Sequence, residues 1–447
     1  MTLNRTHDGS RHSFVASANE PLTDFPLQNL PLGAFSYGGS DATRCGARIG
    51  DDVLDLRRAA AAGLLAACGE PVARAIAAEN LAPLMALGNA SAGALRARLF
   101  ELLSEGNAGC AEVTACLVPV TDVRMALPLE PRNFTDFLTS SFHKMRMSPT
   151  GTLDPNFLSL PLAYHSRASS IRLSGNDVIR PHVQQARGGS VSFEPTRELD
   201  YELELGAFIG PGTNLGQPLS IDEAPAQLFG YCLLNDWSVR DIQRWESVPL
   251  GPFLAKSLST TISPWVVTDE ALRPFRTAAF PREMGQPPAL NYLASETDAT
   301  AGGFDIVLEV WLQTTQMREA GAAATRLTAS NVRDLYWTFA QMVTHHASNG
   351  CNLLSGDLLG SGTVSGPDPD SRACLAELTV RGTAPVVLPN GESRSWLEDG
   401  DEVILRGRAS RNGFASIGFG ECRGRIRQSV TWPGANHIHA KKTEALI

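Results

Sequence analysis

The sequence lacks the features of a membrane, secreted or nucleic-acid-binding protein. It has no uninterrupted apolar run of about 18 residues, so we expect no membrane-spanning helix. Its polar N-terminus, MTLNRTHDGSRHSF, has no apolar core of a signal peptide. Basic residues are in the minority, 38 Lys and Arg against 47 Asp and Glu. The net charge of −9 therefore argues against nucleic acid or an anionic membrane as the main partner.

Cysteine is present without any arrangement that would bind zinc or form a disulfide framework. The eight cysteines contain no CxxC pair, and their spacing fits no zinc template. In a chain of 447 residues, such scattered cysteines are typical of reduced thiols. We therefore predict a cytoplasmic protein.

The length of the chain is enough for two or more domains, or for one large α/β or α+β unit. Residues 1–25 are polar. Short strand patterns with Gly and Asp turns over 33–56 are followed by Ala- and Leu-rich helical spacing over 57–105. From about 134 to 430, short apolar runs alternate with turn residues, which predicts a mixed sheet. One helix is predicted within this region, over 330–348.

Three carboxylates alternate with apolar residues in the stretch RELDYELELGAFIG, residues 197–210. If the stretch is a strand, Asp200, Glu202 and Glu204 share one face. Such a face is either solvated or a site for a cation, because like charges about 7 Å apart repel one another. The alternation alone does not decide between these two interpretations.

Other charged residues stand beside predicted strands. Asp236 ends the apolar run FGYCLLND, where it either caps the following helix or points into a pocket. Lys256 lies in an apolar segment and needs an ionic partner or water. Asp136 and His143 flank a Thr- and Ser-rich segment. If the two aspartates converge with the glutamates of the acidic stretch, they form a four-carboxylate cage suited to Ca²⁺ or Mg²⁺.

Long motifs run through the chain: LPLAYHSRASS (160–170), LDYELELGAFIGPGTNLGQP (199–218), NDWSVRDIQRWESVPLGPFLAKS (235–257), THHASNGCNLLSGDLLGSGTVSGPDPD (344–370), and LEDGDEVILRGRA through SIGFGEC (397–422). Together they resemble the fumarylacetoacetase family. The resemblance implies a mostly β, α+β fold, with a small SH3-like N-terminal barrel and a larger C-terminal mixed β-roll or sandwich domain. The implied units are a polar segment (1–25), an N-terminal domain (26–125), a catalytic domain (126–432) and a tail (433–447).

The resemblance also implies an activity. Members of this family are homodimers that use calcium or magnesium to cleave a carbon–carbon bond in a 1,3-diketone acid, giving fumarate and acetoacetate in tyrosine breakdown. The chain is thus a predicted hydrolase of a small diketo acid. One alternative is a decarboxylase, isomerase or carbon–carbon bond-forming enzyme of secondary metabolism that uses a metal enolate. Another is a catalytically silent dimeric binding protein.

Matching motif positions imply individual roles. The implied carboxylate ligands of the first cation are Asp136, Glu202, Glu204 and Asp236. A second cation position lies around Asp236, Lys256 and Thr260. His143 matches the catalytic base, and Glu377 matches the carboxylate that orients it. The residues that match donors to developing negative charge are Arg240, Gln243 and Lys256. The matching substrate contacts are Tyr164, Arg240, Gln243 and Thr363.

Three departures from the family fall on substrate contacts. Two tyrosines of the family are replaced here by Leu138 and Ser247. The loop 144–154 is shorter, and no arginine aligns with the one that the family uses on the substrate carboxylate, so Arg146 is the candidate substitute. A lost buried polar contact is worth roughly 1–3 kcal/mol. We therefore predict retained chemistry with an altered substrate pocket, suited to a bulkier or less charged compound.

Overall fold

The N-terminal part of the chain is a curled five-stranded sheet with helices, in a computed structural model that describes residues 2–107 and 109–433. The sheet is antiparallel, in the order β4-β3-β2-β1-β5. Its strands are β1 (Leu32–Tyr37), β2 (Arg44–Ile49), β3 (Asp52–Asp55), β4 (Leu117–Pro119) and β5 (Val123–Ala126). The helices between β3 and β4 are α1 (Leu56–Ala61), α2 (Glu70–Ile76), α3 (Ala82–Ala86), α4 (Gly88–Leu103) and α5 (Cys110–Thr114).

The rest of the described chain contains most of the strands. In chain order they are β6 (Phe134–Leu138), β7 (Leu162–Ser166), β8 (Ile171–Leu173), β9 (Val178–Ile179), β10 (His182–Arg187), β11 (Ser190–Pro195), β12 (Leu199–Asp200), β13 (Leu203–Ile209), β14 (Leu228–Asp236), β15 (Ser238–Val239), β16 (Thr260–Ile262), β17 (Val267–Thr268), β18 (Arg276–Thr277), β19 (Gly303–Phe304), β20 (Ile306–Gln313), β21 (Thr325–Asn331), β22 (Leu358–Gly360), β23 (Val386–Val387), β24 (Ser393–Arg394), β25 (Glu402–Ala409) and β26 (Ile417–Arg427).

The helices of this part are short and lie between the strands. They are α6 (Ser141–Met147), α7 (Pro155–Ser159), α8 (Arg240–Leu250), α9 (Leu254–Ser257), α10 (Asp269–Leu272), α11 (Glu296–Ala301), α12 (Thr315–Glu319), α13 (Phe339–Ala347) and α14 (Leu375–Leu378). Helix and strand each take about 29% of the chain, so the predicted α+β class is confirmed, with helix and strand in equal shares. None of the helices in the described residues combines the length and apolar character that crossing a membrane requires.

Two large sheets form the core of this part. The eight-stranded sheet has the order β7-β6-β22-β13-β14-β16-β8, and β17 also pairs with β14. One face of it packs against the five-stranded sheet β21-β20-β25-β26-β9, through residues such as Leu205 and Leu233 on one side and Leu308 and Leu405 on the other. The opposite face carries Phe208 and Leu234 and packs against the N-terminal helices. Strand alternation therefore divides β13 and β14 between two hydrophobic cores.

The helix predicted over 330–348 is wrong in its first half. Strand β21 continues to Asn331, and α13 begins only after Thr338. The hydroxyl of Thr338 accepts a hydrogen bond from the backbone N–H of Gln341, and the Gln341 side chain accepts one from the backbone N–H of Thr338. This capping box sets the start of the helix, which the apolar spacing did not reveal. The predicted tail lies outside the described residues from position 434 onwards.

Candidate metal centre and active site

Four carboxylates converge at one end of the eight-stranded sheet. Asp136 lies in β6, Glu204 in β13 and Asp236 at the end of β14, while Glu202 precedes β13. Each offers one oxygen, and these four oxygens all lie within 4.8 Å of one another. All four side chains are buried, at most 4% exposed. The solvated interpretation of the acidic stretch is therefore wrong for Glu202 and Glu204.

The same strand face that builds the N-terminal core builds the acidic cluster. Phe134 and Asp136 are two residues apart in β6, and Leu234 and Asp236 are two apart in β14, so each pair shares a face. Phe134 and Leu234 pack in the core with the N-terminal helices. On this face, the side chains of each strand thus change from apolar to acidic over two residues.

A glycine lies under the carboxylates. Gly360 in β22 pairs with Asp136 of β6, and a Cβ at this position would lie 2.4 Å from Asp136 Oδ1 and 2.8 Å from Glu204 Oε2. Two residues further, the backbone N–H of Gly362 donates to Glu204 Oε2 at 3.1 Å. Neither glycine is among the site residues predicted from the sequence. The repeated small residues of SGDLLGSGTVSG were the available signal, because close approach to a backbone requires glycine.

Two buried cations pair with the cluster. The ammonium of Lys256 donates to Glu202, and to Asp236 Oδ2 at 2.8 Å. The guanidinium of Arg240 contacts Glu202 Oε1 at 2.7 Å and donates through Nε to Asp200 at 2.9 Å. Lys256 thus has the ionic partners that its apolar segment required. Four carboxylates face one ammonium and one shared guanidinium, so negative charge remains in excess.

The donor set fits a hard divalent cation. Asp136 Oδ1 and Glu204 Oε1 are buried and have no hydrogen-bond partner among the described residues. Burial, and next the charge of Asp236, raises the pKa of Asp136, while burial and the charge of Asp136 raise the pKa of Glu204. Burial opposes ionisation of Glu202 as well, but the charges of Lys256 and Arg240 outweigh it and lower the pKa of Glu202. Buried, unpartnered carboxylate oxygens are the ligands that Ca²⁺ and Mg²⁺ prefer.

Asp200 is separated from the cluster by a break in the strand. Tyr201 and Glu202 belong to neither β12 nor β13, so the predicted single face of three carboxylates does not form. The Asp200 carboxylate instead accepts hydrogen bonds from the backbone N–H groups of Leu375 and Ala376, at 2.8 and 3.0 Å. These are the first residues of α14, which carries Glu377. Asp200 therefore holds the start of α14 through its first two amides.

His143 and Glu377 form a buried pair. His143 lies in the first turn of α6, where its backbone N–H donates to the hydroxyl of the N-cap Ser140. Its Nδ1 lies 2.5 Å from Glu377 Oε1. The Ser140 hydroxyl also donates to the carbonyl of Ser365, and the Ser365 hydroxyl donates to Glu377 Oε1 at 2.6 Å. Neither serine was predicted from the sequence as a site residue, and the two connect the helix of His143 to the carboxylate that faces it.

The ionised form of Glu377 is strongly favoured. Burial opposes its ionisation, but His143, Ser365 and Arg146 outweigh burial and lower the pKa of Glu377 to about 2. An ionised carboxylate can only accept, so the proton of the imidazole lies on Nδ1. The arrangement leaves Nε2 of His143 as the atom that can take a proton from water.

Arg146 does not have the role for which the sequence made it a candidate. Its Nη1 donates to Glu377 Oε2 at 3.0 Å, and its Nη2 donates to the carbonyls of Gly366 and Pro367 at 2.8 and 2.9 Å. The guanidinium is therefore committed to protein acceptors rather than to a substrate carboxylate. The hypothesis of a substitute for the missing substrate arginine is wrong, because Glu377 is the carboxylate that Arg146 contacts.

Replacing Arg146 with glutamine should lower kcat about tenfold, because a charge-assisted hydrogen bond worth about 1.5–3 kcal/mol no longer holds Glu377. The pKa of Glu377 should also rise, because Arg146 is one of the groups that lower it. The acid limb of the kcat/KM profile should then move to higher pH. Arg146→Lys should restore part of the activity, and Arg197→Gln, which removes an exposed arginine paired with Glu194, is the matched control. An unchanged pH profile would refute the coupling.

The remaining sequence-predicted residues surround the cluster at different depths. The Tyr164 hydroxyl donates to Asp236 Oδ2 at 2.7 Å, and the Thr260 hydroxyl donates to Asp236 Oδ1 at 3.0 Å. The side-chain oxygen of Gln243 accepts from Arg240 Nη1 at 3.0 Å. Thr363 follows β22 and is buried. Leu138 ends β6 and Ser247 lies in α8, and both side chains are half-buried.

Asp236 is not a helix cap. Helix α8 begins at Arg240, and its N-cap position is Val239, without a side-chain hydrogen bond. Both carboxylate oxygens of Asp236 point into the cluster, where they accept from Tyr164, Thr260 and Lys256. Of the two interpretations that the sequence left open for Asp236, the structure supports the pocket.

Comparison with known proteins agrees with this geometry. A family profile described as Fumarylacetoacetate (FAA) hydrolase C-terminal matches residues 134–427, and one described as Fumarylacetoacetase N-terminal matches residues 28–128. The chain belongs to the fumarylacetoacetase family. It is 41% identical to the fumarylacetoacetase of Oryza sativa, over 94% of this chain and 98% of that protein. The fumarylacetoacetase of Homo sapiens is 40% identical, over 93% of this chain and 98% of its own length. The family resemblance stated from the motifs is thereby confirmed.

Proposed function

We propose that this member of the fumarylacetoacetase family is a metal-dependent hydrolase that cleaves a carbon–carbon bond in a 1,3-diketo acid. The observation that carries the proposal is the presence of two buried groups: a four-carboxylate cluster, and a histidine–carboxylate pair close enough for the charge of His143 to lower the pKa of Glu202. The relatives that match along nearly the whole chain are fumarylacetoacetases. Hydrolysis of this type needs both a hard cation and an activated water, and the two groups supply the residues for each.

The reaction adds water across the bond between an acyl carbon and the neighbouring methylene. A water oxygen attacks the acyl carbonyl, and His143 Nε2 takes its proton. The carbon–carbon bond then breaks, and its electron pair passes into the second carbonyl as an enolate. His143 returns the proton to the enolate carbon, so the products are a carboxylic acid and a methyl ketone. Glu377 keeps the imidazole in the correct tautomer and stabilises its charged form.

Developing negative charge has donors beside the cluster. Arg240 Nη2 has no hydrogen-bond partner among the described residues, and we propose it as the donor to a substrate oxygen. Gln243 is held by Arg240, and its amide N–H₂ remains available for the same purpose. Lys256 lends positive charge from the far side of Glu202 and Asp236. Tyr164 and Thr363 are proposed to contact the substrate with these groups.

The cation proposed for the site is Ca²⁺ or Mg²⁺, held by Asp136, Glu202, Glu204 and Asp236. When bound, it would polarise the diketone oxygens and stabilise the enolate. A second cation position around Asp236, Lys256 and Thr260 stays a prediction. The Lys256 side chain is itself a cation and contacts Asp236 at 2.8 Å, so it could join a metal only through its backbone carbonyl.

The setting of the enzyme is also part of the proposal. We infer a homodimer in the cytoplasm that acts on a small-molecule diketo acid, in tyrosine breakdown or in a secondary pathway with an altered substrate pocket. Leu138 and Ser247 support the altered pocket, because neither side chain offers a phenol hydroxyl to the substrate. The Ser247 hydroxyl already donates to the backbone carbonyl of Gln243.

A decarboxylase, isomerase or carbon–carbon bond-forming enzyme is the second candidate. Enolate chemistry of that kind needs the acidic cluster but no activated water. The connection of His143 to Glu377, with further contacts from Ser365 and Arg146, supports hydrolysis instead. The intact pair and cluster also argue against a silent binding protein.

The proposed function is tested by following diketone absorbance with fumarylacetoacetate and simple acylpyruvates, with Ca²⁺ or Mg²⁺ present and after chelation. We expect cation-dependent loss of absorbance and formation of one carboxylic acid for each diketone consumed. Release of CO₂, or isomerisation without acid formation, would favour the second candidate. No turnover of any diketone with either cation would refute the hydrolase.

A further inference from the structure

An apolar wall continues directly from the acidic cluster. Asp136 of β6 pairs across the ladder with Tyr164 of β7, and the next pair on the same face is Leu138 with Leu162. Side chains two residues apart on a strand point the same way, so Leu138 and Leu162 extend the face of Asp136 and Tyr164. The wall therefore begins one residue pair, about 7 Å, from a proposed cation ligand.

The wall is broad and partly accessible. Its half-buried members are Leu138, Leu153, Leu158, Leu162 and Phe280, with Phe142 against Phe280 at a ring-centroid distance of 5.8 Å. Behind them lies a fully packed cluster of Phe157, Leu293, Tyr336 and Trp337. Phe142 precedes His143 in α6, so the helix that carries the proposed base also contributes a residue to the wall. A rigid backing of aromatic rings keeps this surface in place.

The cations near the wall are already neutralised or bonded. Lys144 pairs with Asp154 at 2.5 Å, and Arg146 is committed to Glu377. Arg282 donates to the carbonyls of Leu158 and Pro287 and stacks over aromatic rings. Lys144 and Arg146 are thus each paired with a carboxylate of the protein, and Arg282 donates through Nη1 to neutral oxygens. An anionic group placed over Leu138 and Leu162 would meet apolar side chains, and burying a charge against them is costly.

We propose that this wall is a subsite for an uncharged, apolar acyl chain, so that the substrate is a 1,3-diketo acid with an alkyl or aryl group in place of a distal carboxylate. The inference rests on the proposed hydrolysis and specifies its substrate class. Its residues are those of the wall, and their position beside His143 and Asp136 places the chain next to the carbonyl that water attacks. The chain leaves with that carbonyl as an apolar carboxylic acid.

The test compares two substrate series with the cation-loaded enzyme. One series consists of acylpyruvates whose alkyl group grows from methyl to pentyl, and the other carries a terminal carboxylate on chains of equal length. We expect kcat/KM to rise about two- to fourfold for each added methylene in the alkyl series. The carboxylate series should be poorer by at least about tenfold at equal length. If kcat/KM did not change along the alkyl series, or if it were higher with the terminal carboxylate, the proposed subsite would be refuted.

Substitutions in the wall test whether it is the cause of this substrate preference. Leu138→Arg should reverse the preference towards the terminal carboxylate, and Leu162→Asn should flatten the alkyl series. Leu215→Arg, at a leucine that is 79% exposed elsewhere, is the matched control and should leave the ratio between the series unchanged. Thermal denaturation shows whether each variant is folded. If both wall variants fold and neither changes the ratio, the wall is not the subsite.

Binding separates this proposal from the proposed chemistry. Calorimetric titration with the product acids, from acetate to hexanoate and with fumarate, requires no turnover. We expect affinity to rise with alkyl length, and the gain to be lost in Leu162→Asn. If this gain appears but no acylpyruvate is hydrolysed, the subsite stands and the hydrolase fails. If hydrolysis occurs without any gain in binding or rate, the hydrolase stands and the subsite fails.

Discussion

Replacing His143 with alanine should lower kcat about a thousandfold while the protein stays folded. A positioned general base contributes about 10²–10⁴ in rate, and the charge of His143 acts on Glu202 of the acidic cluster. Glu377 would keep its hydrogen bonds from Ser365 and Arg146, so the buried carboxylate is not left without partners. The measurement is kcat with an acylpyruvate, together with the melting temperature.

His345 offers a matched control for this substitution. It lies in α13, where its Nδ1 contacts the Tyr292 hydroxyl at 2.9 Å, away from the cluster. His345→Ala should retain kcat within about twofold, as expected of a histidine without a catalytic role. Full activity of His143→Ala would show that His143 is not the general base. The second candidate function, an enolate enzyme that needs no activated water, would then be favoured.

Removing the divalent cation should abolish turnover and destabilise the fold at the same time. Four buried carboxylates with oxygens within 4.8 Å of one another repel strongly, and two of their oxygens have no hydrogen-bond partner among the described residues. A ligand that binds only the folded state at 100 times its dissociation constant stabilises it by about 2.7 kcal/mol. We therefore expect chelation to lower the melting temperature by several degrees, and Ca²⁺ or Mg²⁺ to restore it.

Glu204→Gln tests this prediction through the melting temperature rather than through a loss of activity. The amide oxygen keeps the hydrogen bond from Gly362, but one negative charge leaves the cluster. Without cation, and at an alkaline pH where the parent Glu204 is ionised despite its raised pKa, the variant should melt above the parent because repulsion is weaker. On addition of cation, its melting temperature should rise less than that of the parent. Glu112→Gln, at an exposed glutamate in α5, is the control and should behave as the parent in both states. If the cation raised the melting temperature of Glu204→Gln as much as that of the parent, Glu204 would not be a ligand.

Several elements could be predicted from local sequence alone. The apolar run before Asp236 ends as a strand at that residue, and the Ala- and Leu-rich region after β3 forms the N-terminal helices. Both depend on periodicity and residue type, which act between near neighbours. The start of α13 was mispredicted for the same reason, because apolar spacing continues through Leu335 and Trp337 although the backbone there is not helical.

The partners of charged side chains were less accessible to local reasoning. Arg146 sits close to His143 in sequence, yet its guanidinium reaches Glu377, 231 positions along the chain. Asp200 looked like a member of an acidic row, but a two-residue break in the strand turns it towards the amides of α14. Whether a carboxylate meets a metal, an arginine or an amide depends on which distant segment packs against it.

The sequence by itself determined the residue types, the strand alternation that turns Glu204 to one face, and, through its long motifs, the family. Only the tertiary structure decided that Asp136, Glu204 and Asp236 meet, because β6, β22, β13 and β14 become neighbours through pairings between residues far apart in the chain. It also decided that Leu138 extends an apolar wall beside them. Alternation is a property of one strand, whereas convergence and burial belong to the sheet order, which sequence spacing does not encode.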